Sequence, residues 1–241
     1  MSELNFLPLS DGADSGIAYY PAKNSRGAVV IVPGGGYFRL TVYGEGADIA
    51  EKYNEAGISA FVVKYHIKPC ERMAMLSDAF DALAHVRSHA DGYGFDKNKI
   101  AVCGFSAGAH LAMNLCAHVS EESRPAACVL GSAVTTLGDG TFPTMPGIFL
   151  GDGEHNADDI EKYSYGFCAD KMPPTYIWYG EKDTAVDYYK NSCALAGAIE
   201  KSGGNVVLRA FADGTHGSGM NTPLCSAWLS ESVEFLRGLG F

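Results

Sequence analysis

The pentapeptide Gly104-Phe105-Ser106-Ala107-Gly108 constrains the fold most, because this G-x-S-x-G motif lies between a predicted strand and a predicted helix. The apolar residues 100–103 before it are typical of a buried strand, and residues 110–118 after it have a helical pattern. A serine at such a turn has a strained backbone, and its flanking glycines avoid collisions with the neighbouring chain. The free N–H groups at the start of the helix favour an anion beside the serine oxygen. We therefore interpret Ser106 as a candidate nucleophile.

A serine nucleophile needs a base, and that base needs a carboxylate to orient it. Two residues downstream have the required types and positions. Asp183 follows a predicted strand at 175–179, and His216 follows a predicted strand at 206–211. Ligands of open α/β sheets bind at the carboxyl ends of the strands, where both residues are expected. We therefore predict Asp183 as the acid and His216 as the base.

Each of these assignments has an alternative. Taken singly, Asp183 could cap the next helix and His216 could be a turn residue. Glu181 and Asp187 are nearby carboxylates, but Asp187 is expected to begin the following helix as a cap or first-turn acid. The order Ser, Asp, His, with each residue just past a predicted strand, favours the catalytic interpretation.

A glycine-rich loop is the candidate oxyanion site. The apolar strand 28–32 runs into Pro33-Gly34-Gly35-Gly36, and consecutive glycines let the backbone turn its N–H groups toward a ligand. An HGGG-type loop has this position in lipases and esterases, so we predict Gly35, Gly36 and Ala107 as oxyanion-hole donors. A phosphate loop fits poorly, because no Lys-Ser or Lys-Thr follows and the G-x-G-x-x-G spacing is absent. The adjoining Tyr37 and Phe38 are predicted to contact the substrate.

Alternating strand and helix patterns predict a mostly parallel central sheet with helices on both faces. The predicted strands lie at 28–32, 58–65, 100–105, 127–132, 175–179 and 206–211, and the predicted helices at 45–56, 71–90, 107–119, 187–202 and 223–238. Residues 1–25 are expected to add an antiparallel edge hairpin. Residues 137–174 have an irregular pattern rich in Gly, Pro and Asp, and we expect them to overhang the site and shape its pocket. This segment leaves no room for a large cap, which predicts an open cleft and short acyl groups.

Taken together, several segments resemble α/β-hydrolase fold esterases. They are Pro33-Gly34-Gly35-Gly36-Tyr37, Lys64-Tyr65, residues 99–108, Pro173-Pro174-Thr175 and Thr215-His216-Gly217. The likeness is to bacterial acetyl esterases of the acetylxylan-esterase-like and feruloyl-esterase-like group, related to the hormone-sensitive lipase type. Two positions depart from the pattern: Pro33 stands where lipase-type relatives have histidine, and Ala109 where many have a second glycine.

This resemblance implies a serine carboxylesterase with an α/β-hydrolase fold, acting on the acetyl ester of a carbohydrate or another small alcohol. It implies no metal and no organic cofactor. Two alternatives stay open: a small serine peptidase of the prolyl-oligopeptidase type, and a non-catalytic binder with the hydrolase fold. Activity on an amide but not on an ester would favour the peptidase. Binders of this fold typically lose a residue of the triad, whereas this chain keeps all three candidates.

Composition narrows the setting. A chain of 241 residues with 47% hydrophobic and 19% charged residues is typical of one globular domain, here residues 1–241. The net charge of −10 argues against nucleic acid as a partner and favours neutral substrates. No apolar stretch is long enough to cross a bilayer, and the amino terminus shows no secretory signal. Seven cysteines without C-x-x-C spacing predict a reducing, cytoplasmic setting. A homo-oligomer stays open.

Other histidines are weaker candidates. His85 and His89 are spaced one helical turn apart with Asp81 one turn before, which is a metal-like spacing. A third ligand and the H-E-x-x-H glutamate are missing, so a solvated helix face is the preferred interpretation. His110 is expected to pack or hydrogen-bond within the fold.

Overall fold

Eight strands form one sheet in the computed structural model, which describes residues 4–10, 13–70, 72–151, 155–217 and 223–241. The strands are β1 (Leu7–Pro8), β2 (Gly16–Tyr20), β3 (Ala28–Val32), β4 (Ser59–Lys64), β5 (Ile100–Phe105), β6 (Ala127–Gly131), β7 (Thr175–Gly180) and β8 (Val206–Phe211). Their order across the sheet is β1-β2-β4-β3-β5-β6-β7-β8. Strands β3 to β8 run parallel to one another, whereas β2 pairs antiparallel with both β4 and β1.

Helices connect the parallel strands, and a final helix follows β8. They are α1 (Asp48–Glu55), α2 (Arg72–Ser88), α3 (Ala90–Tyr93), α4 (Ala107–His118), α5 (Met145–Leu150), α6 (Ala157–Lys162), α7 (Tyr165–Cys168), α8 (Ala194–Lys201) and α9 (Pro223–Gly238). A π-helical turn at Val42–Ala47 leads into α1, and another at Tyr189–Cys193 leads into α8.

Apolar residues cover both faces of the sheet. Val30 and Val102 belong to one buried cluster with α2, α4 and α8. Their strand neighbours Val29 and Ala101 belong to a second cluster with α1 and α9. Because successive side chains of a strand point to opposite faces, strands buried on both sides must be apolar throughout. The architecture confirms the α/β-hydrolase fold predicted from the sequence, with a mostly parallel sheet and helices on both faces.

The strand register brings four loops to one edge of the sheet. Val32 pairs with Gly104, so the glycine loop and the serine motif leave the sheet side by side. In the last two strands of the sheet, Gly180 pairs with Phe211, which brings the loops after β7 and β8 together. The candidate residues therefore meet at the carboxyl edge, as parallel strands require.

The predicted strands agree with the structure to within one residue at each end, and β1 and β2 form the predicted antiparallel edge. Residues 1–3 and 11–12 of the predicted hairpin lie outside the described residues. The prediction of an irregular 137–174 segment was wrong, because α5, α6 and α7 lie within it. One proline and one asparagine of this segment serve as helix-start signals instead. Pro146 lies in the first turn of α5, and Asn156 caps α6 by accepting the Asp159 N–H at 2.8 Å.

Two stacked tryptophans hold the last helix on the sheet. Trp178 of β7 and Trp228 of α9 are fully buried, with ring centroids 5.2 Å apart and planes inclined by 18°. Phe105, which precedes the candidate nucleophile, meets Trp228 edge-on at 5.6 Å. The aromatic stack therefore supports the strand that leads to Ser106.

We expect Trp228→Ala to lower the free energy of unfolding by about 3–5 kcal/mol, because it leaves a large cavity beside Trp178. Urea denaturation measures this loss. The control Met73→Ala removes a long apolar side chain that is 57% exposed, and it should cost less than about 0.5 kcal/mol. Equal losses in the two variants would contradict the proposed support.

Candidate active site

The candidate nucleophile has an unusual backbone. Ser106 has φ 52° and ψ −120°, a backbone conformation that residues other than glycine rarely adopt. Neighbouring strands and the helix hold it in place. The Ser106 N–H donates to the Gly131 carbonyl at 3.1 Å, and its carbonyl accepts N–H groups from Ala109, His110 and Val134 at 3.1–3.2 Å. The strained turn is thus fixed by four backbone hydrogen bonds.

Both glycines of the motif are needed for close packing. A Cβ on Gly104 would lie 2.5 Å from the Gly108 carbonyl oxygen, inside the first turn of α4. A Cβ on Gly108 would lie 2.2 Å from the Val32 carbonyl oxygen, at the end of β3. Helix α4 therefore lies against two strand ends at a distance that leaves no space for a side chain.

The structure brings Ser106, His216 and Asp183 together in one chain of hydrogen-bonding distances. Ser106 Oγ lies 2.9 Å from His216 Nε2, and His216 Nδ1 lies 2.8 Å from Asp183 Oδ2. If Nδ1 carries the proton and donates it to the carboxylate, Nε2 is free to accept the serine proton. This arrangement is the geometry that nucleophile activation requires.

The Asp183 carboxylate is itself held in place. Its side chain is 1% exposed, and Oδ1 accepts the N–H groups of Ala185 at 2.9 Å and Val186 at 3.0 Å. Oδ2 thus remains directed at the histidine. The rejected alternatives lie elsewhere: Glu181 is exposed, and Asp187 Oδ1 accepts the Tyr189 and Lys190 N–H groups as the predicted helix-start acid.

Two N–H groups of the glycine loop point away from the hydrogen bonds that stabilise the loop. The Gly34 carbonyl accepts the Thr41 N–H at 3.1 Å, and the Gly35 carbonyl accepts the Arg39 N–H at 3.2 Å. Because a trans peptide is planar, the following N–H groups, on Gly35 and Gly36, point the opposite way. Within the described ranges, these two N–H groups donate no hydrogen bond.

Backbone conformation explains why glycines occupy this loop. Gly35 and Gly36 have φ values of 129° and 68°, which favour glycine. Ala107, the third predicted donor, begins α4, where an N–H has no partner within the helix. Within the part of the chain that the structure describes, none of the three predicted oxyanion donors has a hydrogen-bond partner.

A cavity of about 520 Å³ opens over Ser106, His216, Gly35 and Gly36. One wall is apolar and comes from the 137–174 segment. It is formed by Phe142, Met145 and Ile148, with Thr144 among them. The lining also contains Phe38, Arg39, Thr41 and Glu45. The 137–174 segment thus overhangs the site as expected, and α5 supplies its apolar surface.

A larger cavity of about 830 Å³ lies away from this edge of the sheet. Its lining includes Lys97, Asn98 and Ala126, which precede β5 and β6. Those residues mark the amino ends of the strands, opposite Ser106. The Ser106–His216 pair lies at the smaller cavity.

The structure places the two predicted substrate contacts differently. Phe38 is 59% exposed and lines the cavity, so its contact with substrate stays a prediction. The prediction for the Tyr37 side chain was wrong, because that side chain is fully buried beneath the loop. Its hydroxyl lies 2.8 Å from His110 Nδ1, and its ring lies 5.2 Å from that of Phe149. The tyrosine anchors the glycine loop instead of facing the cavity.

His110 connects the elements beneath the site, as its expected packing role implied. The Tyr163 carbonyl can only accept a hydrogen bond, so Nε2 carries the proton and donates to it at 2.7 Å. The unprotonated Nδ1 then accepts the Tyr37 hydroxyl. The ring also meets Phe149 of α5 edge-on at 4.8 Å. Burial lowers the pKa of His110 from 6.5 to about 4.

The low pKa of His110 predicts acid sensitivity. The unfolded chain binds a proton near pH 6.5 but the folded protein only near pH 4, so stability falls between these values as pH decreases. The loss is absent above pH 6.5 and complete below pH 4, where it amounts to about 3 kcal/mol. Denaturation at several pH values should show a shallower fall for His110→Gln. Identical slopes in the two proteins would contradict the prediction.

The other singled-out histidines have ordinary contacts. The rings of His85 and His89 stack at 4.2 Å, and His85 Nε2 lies 3.3 Å from the Tyr93 hydroxyl. Among the residues that the structure describes, no three His, Cys, Asp or Glu side chains form a group able to hold a metal ion. In the same residues, no helix combines the length and apolarity needed to cross a membrane.

Sequence reasoning missed several cavity residues. Thr41 and Glu45 lie after the glycine loop, where the sequence suggested only the start of a helix. Met145 and Ile148 lie in the segment interpreted as irregular. An acidic residue at a helix start is common, so only the folded loop distinguishes Glu45 from a helix-dipole acid.

The chain has the α/β-hydrolase fold, and its resemblance to esterases of this fold is confirmed by comparison with known proteins. A family model described as BD-FAE matches residues 18–134. That range contains the glycine loop and Ser106, whereas Asp183 and His216 lie beyond it.

Two curated relatives are similar in sequence. One is an acetylxylan esterase from Xylanibacter ruminicola, 28% identical over 234 residues, which are 95% of this chain and 48% of that protein. The other is endo-1,4-beta-xylanase B from Butyrivibrio fibrisolvens, 28% identical over 223 residues, 84% of this chain and 34% of that protein. The chain therefore spans about half or less of the length of these relatives.

Two solved structures share the fold over nearly the whole chain. An acetyl ester-xyloside bifunctional hydrolase from Caldicellulosiruptor lactoaceticus has a TM-score of 0.89 at 26% identity, covering 98% of this chain and 97% of that one. A propionate-bound esterase from Thermogutta terrifontis has a TM-score of 0.81 at 24% identity, covering 99% and 94%.

Proposed function

We propose that this protein is a serine carboxylesterase that hydrolyses short-chain esters, acetyl esters above all, through an acyl-enzyme intermediate. The observation that carries the proposal is the continuous chain from Ser106 Oγ through His216 to Asp183, with separations of 2.9 and 2.8 Å. The similarity to an acetylxylan esterase and to an acetyl ester hydrolase supports the same activity.

In the proposed mechanism, His216 Nε2 removes the Ser106 proton as Oγ attacks the ester carbonyl carbon. Asp183 fixes the imidazole tautomer and stabilises the imidazolium that forms. The imidazolium then gives its proton to the departing alcohol oxygen, and the acyl group remains on Ser106. Water, deprotonated by the same histidine, attacks the acyl-enzyme and releases the acid.

We assign the oxyanion hole to the N–H groups of Gly35, Gly36 and Ala107. The first two N–H groups point away from the loop, and the third lies at the start of α4 with no intrahelical partner. Charge that develops on the carbonyl oxygen would meet donors already in place, which lowers the barrier without reorganisation.

The cavity lining suits an apolar acyl group on a polar alcohol. Met145 and Ile148 form an apolar wall over Ser106, whereas Arg39, Thr41 and Glu45 form a polar one. The net charge of −10 favours a neutral substrate. With the relatives described above, these features support an acetylated sugar as substrate, with Phe38 as a contact for the leaving group.

The proposal extends to the domain organisation, cofactors and cellular compartment of the protein. Residues 1–241 would act as a single domain, since the described strands form one sheet. The proposed steps use no metal or organic cofactor. Cys103, Cys116, Cys128 and Cys168 are buried free thiols, which supports a reducing, cytoplasmic compartment; the Cys225 side chain lies outside the described residues. One chain supplies the whole proposed site, so the proposed reaction requires no second copy, and a homo-oligomer stays compatible with it.

The proposed activity is tested with p-nitrophenyl acetate, butyrate and octanoate, and with an acetylated xylo-oligosaccharide. We expect acetate to be turned over fastest, and Ser106→Ala or His216→Ala to lower kcat by about 10⁴-fold or more. Asp183→Asn should lower kcat by about 10⁴-fold at neutral pH, because the histidine loses its correct tautomer.

Matched controls are Ser120→Ala and His89→Ala, which change exposed residues of the same types and should leave kcat unchanged. No turnover of any ester by the unaltered protein would overturn the proposal. Hydrolysis of a peptide amide without ester hydrolysis would favour the peptidase alternative. Acetate release from the oligosaccharide would establish the sugar ester as a substrate.

A further inference from the structure

We infer that Glu45 is a positioning residue that holds the oxyanion loop in its active conformation. The inference rests on the proposed esterase function and extends it to a carboxylate outside the triad. Glu45 lies in the π-helical turn Val42–Ala47, lines the cavity over Ser106, and is only 9% exposed. A buried carboxylate needs hydrogen-bond donors. Its donors are Gly34 of the glycine loop and Thr41, which follows that loop.

One oxygen of Glu45 joins the two ends of the loop. Oε2 accepts the Gly34 N–H at 2.8 Å and lies 2.5 Å from Thr41 Oγ1. Thr41 Oγ1 also lies 2.9 Å from the Gly34 carbonyl. A hydroxyl has a single proton, and an ionised acceptor makes the stronger hydrogen bond, so Thr41 donates to Glu45. The Thr41 N–H then holds the Gly34 carbonyl.

These contacts fix the residue at which the loop begins. The Gly34 N–H is bound by Glu45 and its carbonyl is bound by Thr41. The orientation of the Gly34 carbonyl sets the direction of the Gly35 N–H in the same peptide unit. The glutamate therefore acts on the oxyanion donors through the backbone, without touching the substrate carbonyl itself.

The space around Gly34 shows how closely the loop, the carboxylate and the nucleophile are packed. A Cβ on Gly34 would lie 2.7 Å from Glu45 Oε2 and 3.1 Å from Ser106 Cβ. The other oxygen of Glu45 faces the loop that carries the base, because a Cβ on Gly217 would lie 3.4 Å from Oε1. Glu45 thus lies between the oxyanion loop and the histidine loop. Misplacement of a donor by about 1 Å is enough to lower the rate of a reaction substantially.

The test compares Glu45→Ala and Glu45→Gln with the unaltered protein on p-nitrophenyl acetate. Loss of a well-placed oxyanion donor costs about 100-fold or more in kcat, and we expect Glu45→Ala to show a loss of this size with little change in KM. Glu45→Gln should recover most of that kcat, because the amide oxygen can accept both the Gly34 N–H and the Thr41 hydroxyl.

Affinity for a transition-state analogue provides a readout that a merely structural role would not move. A trifluoromethyl ketone forms a tetrahedral adduct with the serine, and its oxyanion needs the same donors. We expect its binding to weaken in Glu45→Ala in parallel with kcat/KM. Binding that stays at the unaltered level while kcat falls would overturn the inference.

Asp78 provides a matched control for the loss of a buried carboxylate. It is 6% exposed, and its Oδ2 accepts the His66 N–H at 2.6 Å, but it does not line the Ser106 cavity. Asp78→Ala should be destabilised, yet keep kcat within about threefold when assayed well below its melting temperature. Equal losses of kcat in Asp78→Ala and Glu45→Ala would overturn the inference, and so would a Glu45→Gln variant as slow as Glu45→Ala.

Hydrogen exchange keeps the two proposals separable. Glu45→Ala should speed exchange of the Gly34 amide, whereas Glu45→Gln and Asp78→Ala should leave it protected. An unaltered protein with no esterase activity would overturn the proposed function alone, because the exchange result still tests the loop. An active protein in which Glu45→Ala retains full kcat and a protected Gly34 amide would overturn the role of Glu45 alone.

Discussion

The close approach of three backbone segments around Ser106 is the constraint on which the site depends. Helix α4 lies so near the ends of β3 and β5 that a Cβ on Gly104 or Gly108 would meet backbone atoms at 2.2–2.8 Å. This contact brings the start of the helix beside the glycine loop. Ser106, the N–H group of Ala107 and the glycine loop can then lie around a single cavity.

A buried polar and aromatic layer supports this arrangement from below. His110 accepts the Tyr37 hydroxyl, donates to the Tyr163 carbonyl and packs against Phe149, so one neutral imidazole joins the glycine loop to the 137–174 segment. Above this layer, Glu45 holds the beginning of the same loop. The loop is therefore fixed at Gly34 by a carboxylate and at Tyr37 by a histidine, and the residues between them carry the free N–H groups. Such preorganisation is what electrostatic stabilisation of an oxyanion requires.

The sequence predicted those parts of the molecule that local patterns determine. Continuous apolar runs identified the parallel strands, and the strand–turn–helix context of Ser106 identified the edge where Asp183 and His216 would meet it. Tyr37 was misassigned because a tyrosine beside a glycine loop looks the same whether its ring faces the cavity or the core. Only the partner on α4, far away in sequence, decides the direction of that ring.

The role of Glu45 and the helices within residues 137–174 were not predicted from the sequence, for related reasons. Glu45 resembles any acid at the start of a helix until the loop folds back and presents the Gly34 N–H to it. The prolines and glycines near Pro146 read as loop residues, although a proline is well suited to the first turn of a helix. In each case a tertiary contact or a cap, and not the composition of the segment, determined the outcome.

Covalent labelling tests the central claim most directly. An activated serine oxygen attacks the phosphorus of an organophosphorus fluoride, fluoride leaves, and the histidine takes up the serine proton, so the protein should gain the mass of one phosphorus group in place of that proton. Peptide mapping should place that group on Ser106, and His216→Ala should prevent the reaction under the same conditions. Labelling of a different residue, or no gain in mass by the unaltered protein, would contradict the account of Ser106 as a nucleophile activated by His216 and Asp183.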